Sequence, residues 1–323
     1  MTKEESEVPE IWTHKLTKIY GRGEERVKAV NQIDISTKSG VHGFLGPNGA
    51  GKTSTINMLI GAISITDGKA KVKGENAGSI RARRIIGFLP QDPAFYERMT
   101  GKQYLTFIGE LSGLSRHKAK SKTLELLESL ELLNAQDRQI GKYSEGMKQR
   151  IGIAAALIHD PELLILDEPT SNLDPIGRAN IIKDIKELSK NASVFVSSHI
   201  LSEIEQMCEE VTMINKGKIV LADTIKNIKK MHSIKSGNNI VILNTNSNEE
   251  MIQQLKHKDF ISNVWIDEKD NKIYIIPKDI ESLQKSIPKI IIEKDILLRE
   301  LYQPERSLQD IFIEIMEDEV NSK

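Results

Sequence analysis

The octet Gly46-Pro47-Asn48-Gly49-Ala50-Gly51-Lys52-Thr53 has the spacing G-x-x-x-x-G-K-[ST]; it follows an apolar run and precedes a helical one, with Ser54 next in line. A loop of this kind turns successive backbone N–H groups toward one point, where they gather phosphate oxygens. Glycine is needed because a Cβ would obstruct that approach. The helix expected to begin near Lys52 adds the positive end of its dipole. Lys52 supplies a point charge for the β- and γ-phosphates, and the Thr53 hydroxyl is an oxygen ligand suited to Mg²⁺. The plain alternative is a glycine-rich turn that happens to contain a lysine.

Leu163-Leu164-Ile165-Leu166 runs into two carboxylates, Asp167 and Glu168. In parallel sheets ligands gather at the carboxyl ends of strands, so both acids are expected on the edge that carries the glycine loop. There Asp167 is placed to hold Mg²⁺ through its water shell, and Glu168 to orient or deprotonate an attacking water. Two further apolar runs end in suitable polar groups. Ile85 to Leu89 leads to Gln91, whose amide oxygen can reach Mg²⁺ or water, and Ser193 to Ser197 leads to His199, which can donate to a γ-phosphate oxygen. Taken singly, each is equally a solvated strand end or a loop residue satisfied by local backbone. Four strand ends that deliver a lysine and threonine, paired acids, an amide and an imidazole to one edge are poorly explained by coincidence.

Positioning these groups requires short buried strands joined by helices. From about residue 10 to 225 apolar runs alternate with longer helical periods, the α/β pattern of a parallel sheet covered by helices. The runs that matter are Val41–Leu45, Ile85–Leu89, Leu163–Leu166 and Ser193–Ser197. Between the second and third, residues 93–160 read as a helical insertion, with Lys122–Leu133 apolar at spacings of three and four. The Lys- and Gly-containing stretch 226–238 reads as a linker. Beyond it the pattern gives strand Asn239–Leu243, helix Asn248–Lys256, strand Ser262–Asp267, a turn at Lys269–Asn271, strand Lys272–Ile276, helix Asp279–Ile287 and strand Ile290–Leu298. That βαββαβ order suggests a small ferredoxin-like α+β unit over residues 239–323. A last helix is expected from Ser307, with Leu308, Ile311, Phe312 and Ile315 on its apolar face.

Composition narrows the class. The 323 residues suffice for two domains, and 39% hydrophobic with 28% charged residues excludes collagen-like and mostly disordered chains. Lys+Arg 45 against Asp+Glu 46 leaves a net charge of -1, without the basic excess of a nucleic-acid coat, so no nucleic acid is expected as partner. The single cysteine, Cys208, forbids an intrachain disulfide and points to a reducing, cytoplasmic setting; core filling is its expected role. No apolar run approaches the roughly 18 to 20 residues of a membrane helix, and the acidic start MTKEESEVPEI is unlike a secretory leader.

One further segment is specific. Tyr143-Ser144-Glu145-Gly146-Met147, followed by Lys-Gln-Arg, stands some twenty residues before Asp167-Glu168. With the glycine loop, the chain over about residues 10 to 225 resembles the ATP-binding subunit of an ABC (ATP-binding cassette) transporter, whose signature is LSGGQ. The tyrosine and methionine variants are similar to those of the single-cassette drug- and lipid-exporting branch, as is the ending from Pro304 to Met316.

The resemblance implies a P-loop cassette with an antiparallel β part and a helical subdomain. Its cofactors would be ATP and Mg²⁺. It implies nucleotide contacts from Gly46 to Ser54, metal contacts at Thr53, Gln91 and Asp167, and Lys52, Gln91, Glu168 and His199 as the catalytic set. It makes Tyr20 the aromatic that stacks on adenine and Ser171–Asp174 the segment at the dimer interface, and it has Ser144 and Gly146 cap the γ-phosphate held by a partner cassette. Glu145 would repel that phosphate unless turned away. One loop and one signature per chain imply a second cassette, identical or paralogous. The lack of a span implies a separate multi-span membrane permease, with this chain held on the cytoplasmic face of the membrane through it. The rival reading is a soluble ABC ATPase acting on ribosomes, DNA or cluster assembly, but the chain has neither a long coiled-coil insertion nor two cassettes in tandem.

Overall fold

The computed structural model describes residues 8–235, 240–267, 270–303, 308–309 and 311–312. The chain divides into two compact units, 1–225 and 226–323. In the first, β1 (Ile11–Tyr20) and β2 (Val27–Ile33) lead to β3 (Val41–Leu45), α1 (Lys52–Leu59), β4 (Asp67–Val72), β5 (Glu75–Asn76), α2 (Ile80–Ile85) and β6 (Ile86–Leu89). Three helices follow, α3 (Gly101–Leu111), α4 (Arg116–Ser129) and α5 (Glu145–Leu157). Then come β7 (Leu163–Asp167), α6 (Pro175–Leu188), β8 (Ser193–Ser198), α7 (Leu201–Met207), β9 (Glu210–Asn215) and β10 (Lys218–Thr224).

A six-stranded sheet in the order β10-β9-β3-β8-β7-β6 is parallel except where β10 turns back on β9. Its central strands β3, β7 and β8 are buried along their whole length, as strands covered on both faces must be. Phe44 and Phe195, both fully buried and 5.4 Å apart between ring centroids, anchor the core between this sheet and a four-stranded antiparallel one, β2-β1-β4-β5. Register fixes the functional edge: Leu45 pairs with Ser198, Asp167 with Ser197 and Leu89 with Leu166, so four strand ends finish at one level.

The insertion is helical as expected, and each of its three helices starts on a hydroxyl cap. Thr100 forms a reciprocal box with Gln103, Ser115 accepts from the N–H of Lys118, and Ser144 from that of Met147. Tyr143 is buried and donates its hydroxyl to the Ala135 carbonyl at 2.8 Å. Gly101 makes the room, because a Cβ there would run into the Tyr143 hydroxyl. Cys208 is buried beside Gly43, and burial pushes its thiol well above the usual range, so it fills the core.

Of the expected linker, residues 226–235 are helical, in α8 (Ile225–Lys235), and 236–238 lie outside the described residues. The stretch contains no proline, and its glycine comes only at 237, so nothing breaks the helix earlier. The second unit continues with β11 (Val241–Thr245), α9 (Asn248–Leu255), β12 (Ile261–Ile266), β13 (Ile273–Pro277), α10 (Ile280–Glu293) and β14 (Leu298–Tyr302). The sheet order β12-β13-β11-β14, antiparallel throughout, is that of a ferredoxin-like βαββαβ sandwich. The last strand, expected at Ile290–Leu298, lies instead at Leu298–Tyr302. Ile290 to Ile292 belong to α10, because Leu283, Ile287 and Ile290 recur at helical spacing on its buried face, and that packing outweighs the β-preference of an isoleucine run. Of the expected turn, Lys269 lies outside the described residues. Of the last helix, Leu308 and Ile311 are helical and buried and Phe312 is half-buried, while Ser307 and Ile315 lie outside the described residues.

His42, in mid-sheet on β3, is buried against Phe195; its Nε2 pairs with the Thr212 hydroxyl at 2.9 Å. Nδ1 has no hydrogen-bond partner, Glu210 Oε2 being 3.6 Å away, and burial lowers the imidazole to about 4 from 6.5. The unfolded chain therefore takes up this proton first as pH falls. The associated stability is intact above pH 6.5 and lost progressively down to pH 4, by about 3 kcal/mol in total. Urea titrations of His42→Gln should show a shallower loss over that window than the parent; an unchanged slope would place the effect elsewhere.

Candidate functional site

The glycine loop joins β3 to α1 in a conformation that few side chains tolerate. A Cβ on Gly46 would strike the Ile214 carbonyl, and Gly51, at φ +112, precedes α1 in the left-handed region. No side chain caps α1, so its first N–H groups are left for a ligand to satisfy. Lys52 is only 5% exposed. Its Nζ donates to the carbonyls of Gly46 at 2.7 Å and Pro47 at 3.3 Å, and lies 3.0 Å from Glu168 Oε1.

The two acids leave β7 in different directions. Asp167 accepts from the Ser197 hydroxyl at 2.5 Å and from Thr53; burial, helped by the nearby Glu168 charge, raises its pKa above the usual carboxylate range, and those two hydrogen bonds and Lys52 offset only part of the rise. Ser197 in turn accepts the Glu168 N–H at 2.9 Å. That bond helps hold Glu168 at φ +49, a left-handed conformation a glutamate adopts at a cost of about 1–3 kcal/mol. The strained turn directs its buried carboxylate between Lys52 and His199, whose Nδ1 is 2.8 Å from Glu168 Oε2. Lys52, Thr53, Asp167, Glu168 and His199 thus form one connected cluster.

Other expected residues stand apart from it. Gln91 is exposed beyond β6 and lines a cavity of about 400 Å³ with Gln149, Ser171 and Leu173; among the described residues no hydrogen bond joins it to Thr53 or Asp167. Ser144 and Gly146 line a second cavity of about 450 Å³ with Asn172 and Asp174, to which the glycine loop does not contribute. Glu145 turns outward, 62% exposed, to pair with Lys148 at 2.9 Å. Asp174 spends its carboxylate capping α6, accepting the Gly177 N–H at 2.7 Å. Tyr20 ends β1 with its face half open; its hydroxyl is 3.2 Å from Ser54 Oγ, and Lys18 sits 5.1 Å from its ring centroid.

Sequence reasoning missed Ser197, Thr170, Ser198 and Glu203. For the last a signal existed: Ile200, Ile204 and Met207 mark an apolar helical face, and Glu203 interrupts it.

A sequence model of the ABC transporter family matches residues 30–171. The uncharacterized ABC transporter ATP-binding protein YxlF of Bacillus subtilis is 39% identical over 273 residues, 84% of this chain and 89% of its own. The chain belongs to the ABC transporter ATP-binding proteins. The bacitracin transport ATP-binding protein BcrA of Bacillus licheniformis is 36% identical over 317 residues, 95% of this chain and 97% of its own, so the similarity includes the second unit. The fold agrees with the dimeric, ADP- and Pi-bound cassette MJ0796, at a TM-score of 0.61 and 22% identity over 67% of this chain and 98% of that one. No helix among the described residues is long and apolar enough to cross a membrane.

The donor set suits the ligands of an ABC ATPase. Backbone N–H groups, a buried ammonium and a helix N-terminus fit a polyphosphate; the Thr53 hydroxyl and the Asp167 carboxylate are the hard oxygens that Mg²⁺ takes. Because the Lys52–Glu168 pair is buried, Lys52→Ala should weaken nucleotide binding and also destabilise the fold by about 3–5 kcal/mol, by stranding a carboxylate. The double variant Lys52→Ala, Glu168→Gln should regain much of the melting temperature without regaining nucleotide affinity. Calorimetry showing full affinity in either variant would refute the loop's role.

Proposed function

We propose that residues 10–225 form an ATP-hydrolysing cassette that works as a pair on the cytoplasmic face of a membrane and drives export through a separate permease, with residues 239–323 as an accessory unit supporting or regulating the pair. The observation that carries the ATPase reading is the buried bridge from Lys52 through Glu168 to His199 beside the glycine loop. Transport is supported by BcrA, a bacitracin transport ATP-binding protein similar along nearly its whole length, and the outward direction by the likeness of Tyr143 and Met147 to the exporting branch.

In this reading the N–H groups and Lys52 grip the β- and γ-phosphates, and Tyr20 offers its half-open face to the adenine. Mg²⁺, held by Thr53 and through water by Asp167 with Gln91 nearby, would spread the charge of the transferring phosphoryl group. Phosphate oxygens compete with Glu168 for the same amine. Once Lys52 engages them, Glu168 keeps His199 as partner and is free to take a proton from the attacking water. His199 holds that carboxylate through Nδ1 and presents its other nitrogen to the γ-phosphate.

Ser144 and Gly146 are exposed enough to meet a second cassette's γ-phosphate, and Gly146 has open space where a Cβ would stand. ATP would then bridge two chains and hydrolysis release them, the work passing to the permease through the helical insertion and the Gln91 loop.

Glu168→Gln should lower turnover by about 10²- to 10⁴-fold, leave ATP binding intact and give a long-lived ATP-bound dimer on size exclusion. Hydrolysis at the parent rate would show that the base is elsewhere. For export, the parent with its permease should load inside-out vesicles with a peptide antibiotic such as bacitracin on addition of ATP, and the Glu168→Gln variant should not. A chain that co-purifies with ribosomes or DNA and with no integral membrane protein would overturn the transport reading.

A further inference from the structure

Behind the cluster lies an acid with no place in the chemistry above. Glu203 is on α7, 4% exposed, among Ile204 and Met207 of the core. Its Oε2 accepts the Thr170 hydroxyl at 2.6 Å and the Ser198 hydroxyl at 3.0 Å, while Oε1 is buried with no hydrogen-bond partner. Among the described residues no salt bridge neutralises it. A carboxylate kept in the core by two neutral donors is costly, and leucine would pack there without that cost. Such a group persists where it holds something in place.

What it holds is visible in the chain order. Thr170 is two residues beyond Glu168, in a turn closed by the Ser171 N–H on the Glu168 carbonyl at 3.1 Å. Ser198 immediately precedes His199, and its hydroxyl also accepts the Ile200 N–H at 3.0 Å, so the loop is gripped on both sides of the imidazole. One carboxylate oxygen therefore joins the two segments that carry Glu168 and His199. We propose that Glu203 is a positioning residue for hydrolysis, tying the Glu168 turn to the His199 loop so that carboxylate and imidazole stay in register. It touches neither, and acts through Thr170 and Ser198.

This inference rests on Glu168 and His199 acting as proposed above, so Glu168→Gln is measured alongside. Glu203→Leu should lower kcat by about ten- to a hundredfold, the scale of a small misplacement of reacting groups, with the KM for ATP little changed. Glu203→Gln should restore most of the rate, because an amide oxygen can accept both hydroxyls and the amino group falls where Oε1 now stands. Thr170→Val and Ser198→Ala should each give a smaller loss of kcat, and adding Thr170→Val to Glu203→Leu should cost little more. These single-donor variants carry the test if Glu203→Leu does not fold.

A Glu203→Leu enzyme with the parent kcat, beside an inactive Glu168→Gln, would overturn this inference alone. A Glu203→Gln enzyme as slow as Glu203→Leu, or a loss seen only as a raised KM or a lowered melting temperature, would reduce Glu203 to a structural role. Parent-like hydrolysis by Glu168→Gln would instead remove the reading on which the inference stands.

Discussion

A single ammonium held almost out of water sets the terms for the whole nucleotide edge. Lys52 can be buried only because two loop carbonyls and Glu168 surround it, and Glu168 can be buried only because Lys52 and His199 share its charge. The three ionisable groups come from α1, from the turn after β7 and from the loop after β8. Their contacts therefore require the β3–β8–β7 register to be correct to the residue. A slip of one position would turn every side chain on a strand to the opposite face and strand at least one charge. Fully buried strands are what prevent the slip, so the apolar runs do more than fill the core. They make the electrostatics of the edge possible.

The strand ends were legible because their chemistry is written in consecutive residues. Gly46 to Thr53 and Asp167-Glu168 need no partner to be recognised, and each follows an apolar run short enough to be a buried strand. Ser197 was not legible as a site residue. It matters because it lies opposite Asp167 and receives the Glu168 N–H, and pairing across 29 and 30 positions is invisible to local pattern. Thr170 and Glu203, 33 apart, share that difficulty. Gln91 shows the reverse case: its strand end was plain, but the side chain lies in a cavity with Ser171 and Leu173, a placement set by how the loop beyond β6 folds over α5.

In the second unit the order of elements was readable and one boundary was not. Ile290-Ile291-Ile292 has the composition of a strand, and only the spacing to Leu283 and Ile287 decides for helix. Ile292 is exposed and Ile290 buried, which a helix turns to opposite sides. An alternating strand would have placed the two on the same face. The cue was present in the sequence, but it extended back beyond the window in which a β-branched run is noticed. The α8 helix was missed for a related reason: lysines suggested a linker, while the absence of any breaker before residue 237 favoured a helix.

The altered signature segment shows how a departure from a family pattern is absorbed. Glu145 occupies the first turn of α5, where a negative charge favours the helix dipole, and it leans one turn along to Lys148. The pair is exposed, so its direct energy is small, but the direction it imposes keeps the carboxylate off the N-terminal N–H groups. Tyr143 requires more. Its ring is buried, its hydroxyl reaches back to Ala135, and α3 can pass only because residue 101 is glycine. The residue before Ser144 is thereby fixed to two other parts of the helical insertion. Arg150, two turns further on, ties α5 to Asp184 on α6 at 2.9 Å and to Glu131 at 2.7 Å. The stretch is thereby held at both ends, to the insertion through Tyr143 and Glu131 and, outside it, to α6 through Asp184, so the start of α5 has a fixed direction despite its altered sequence.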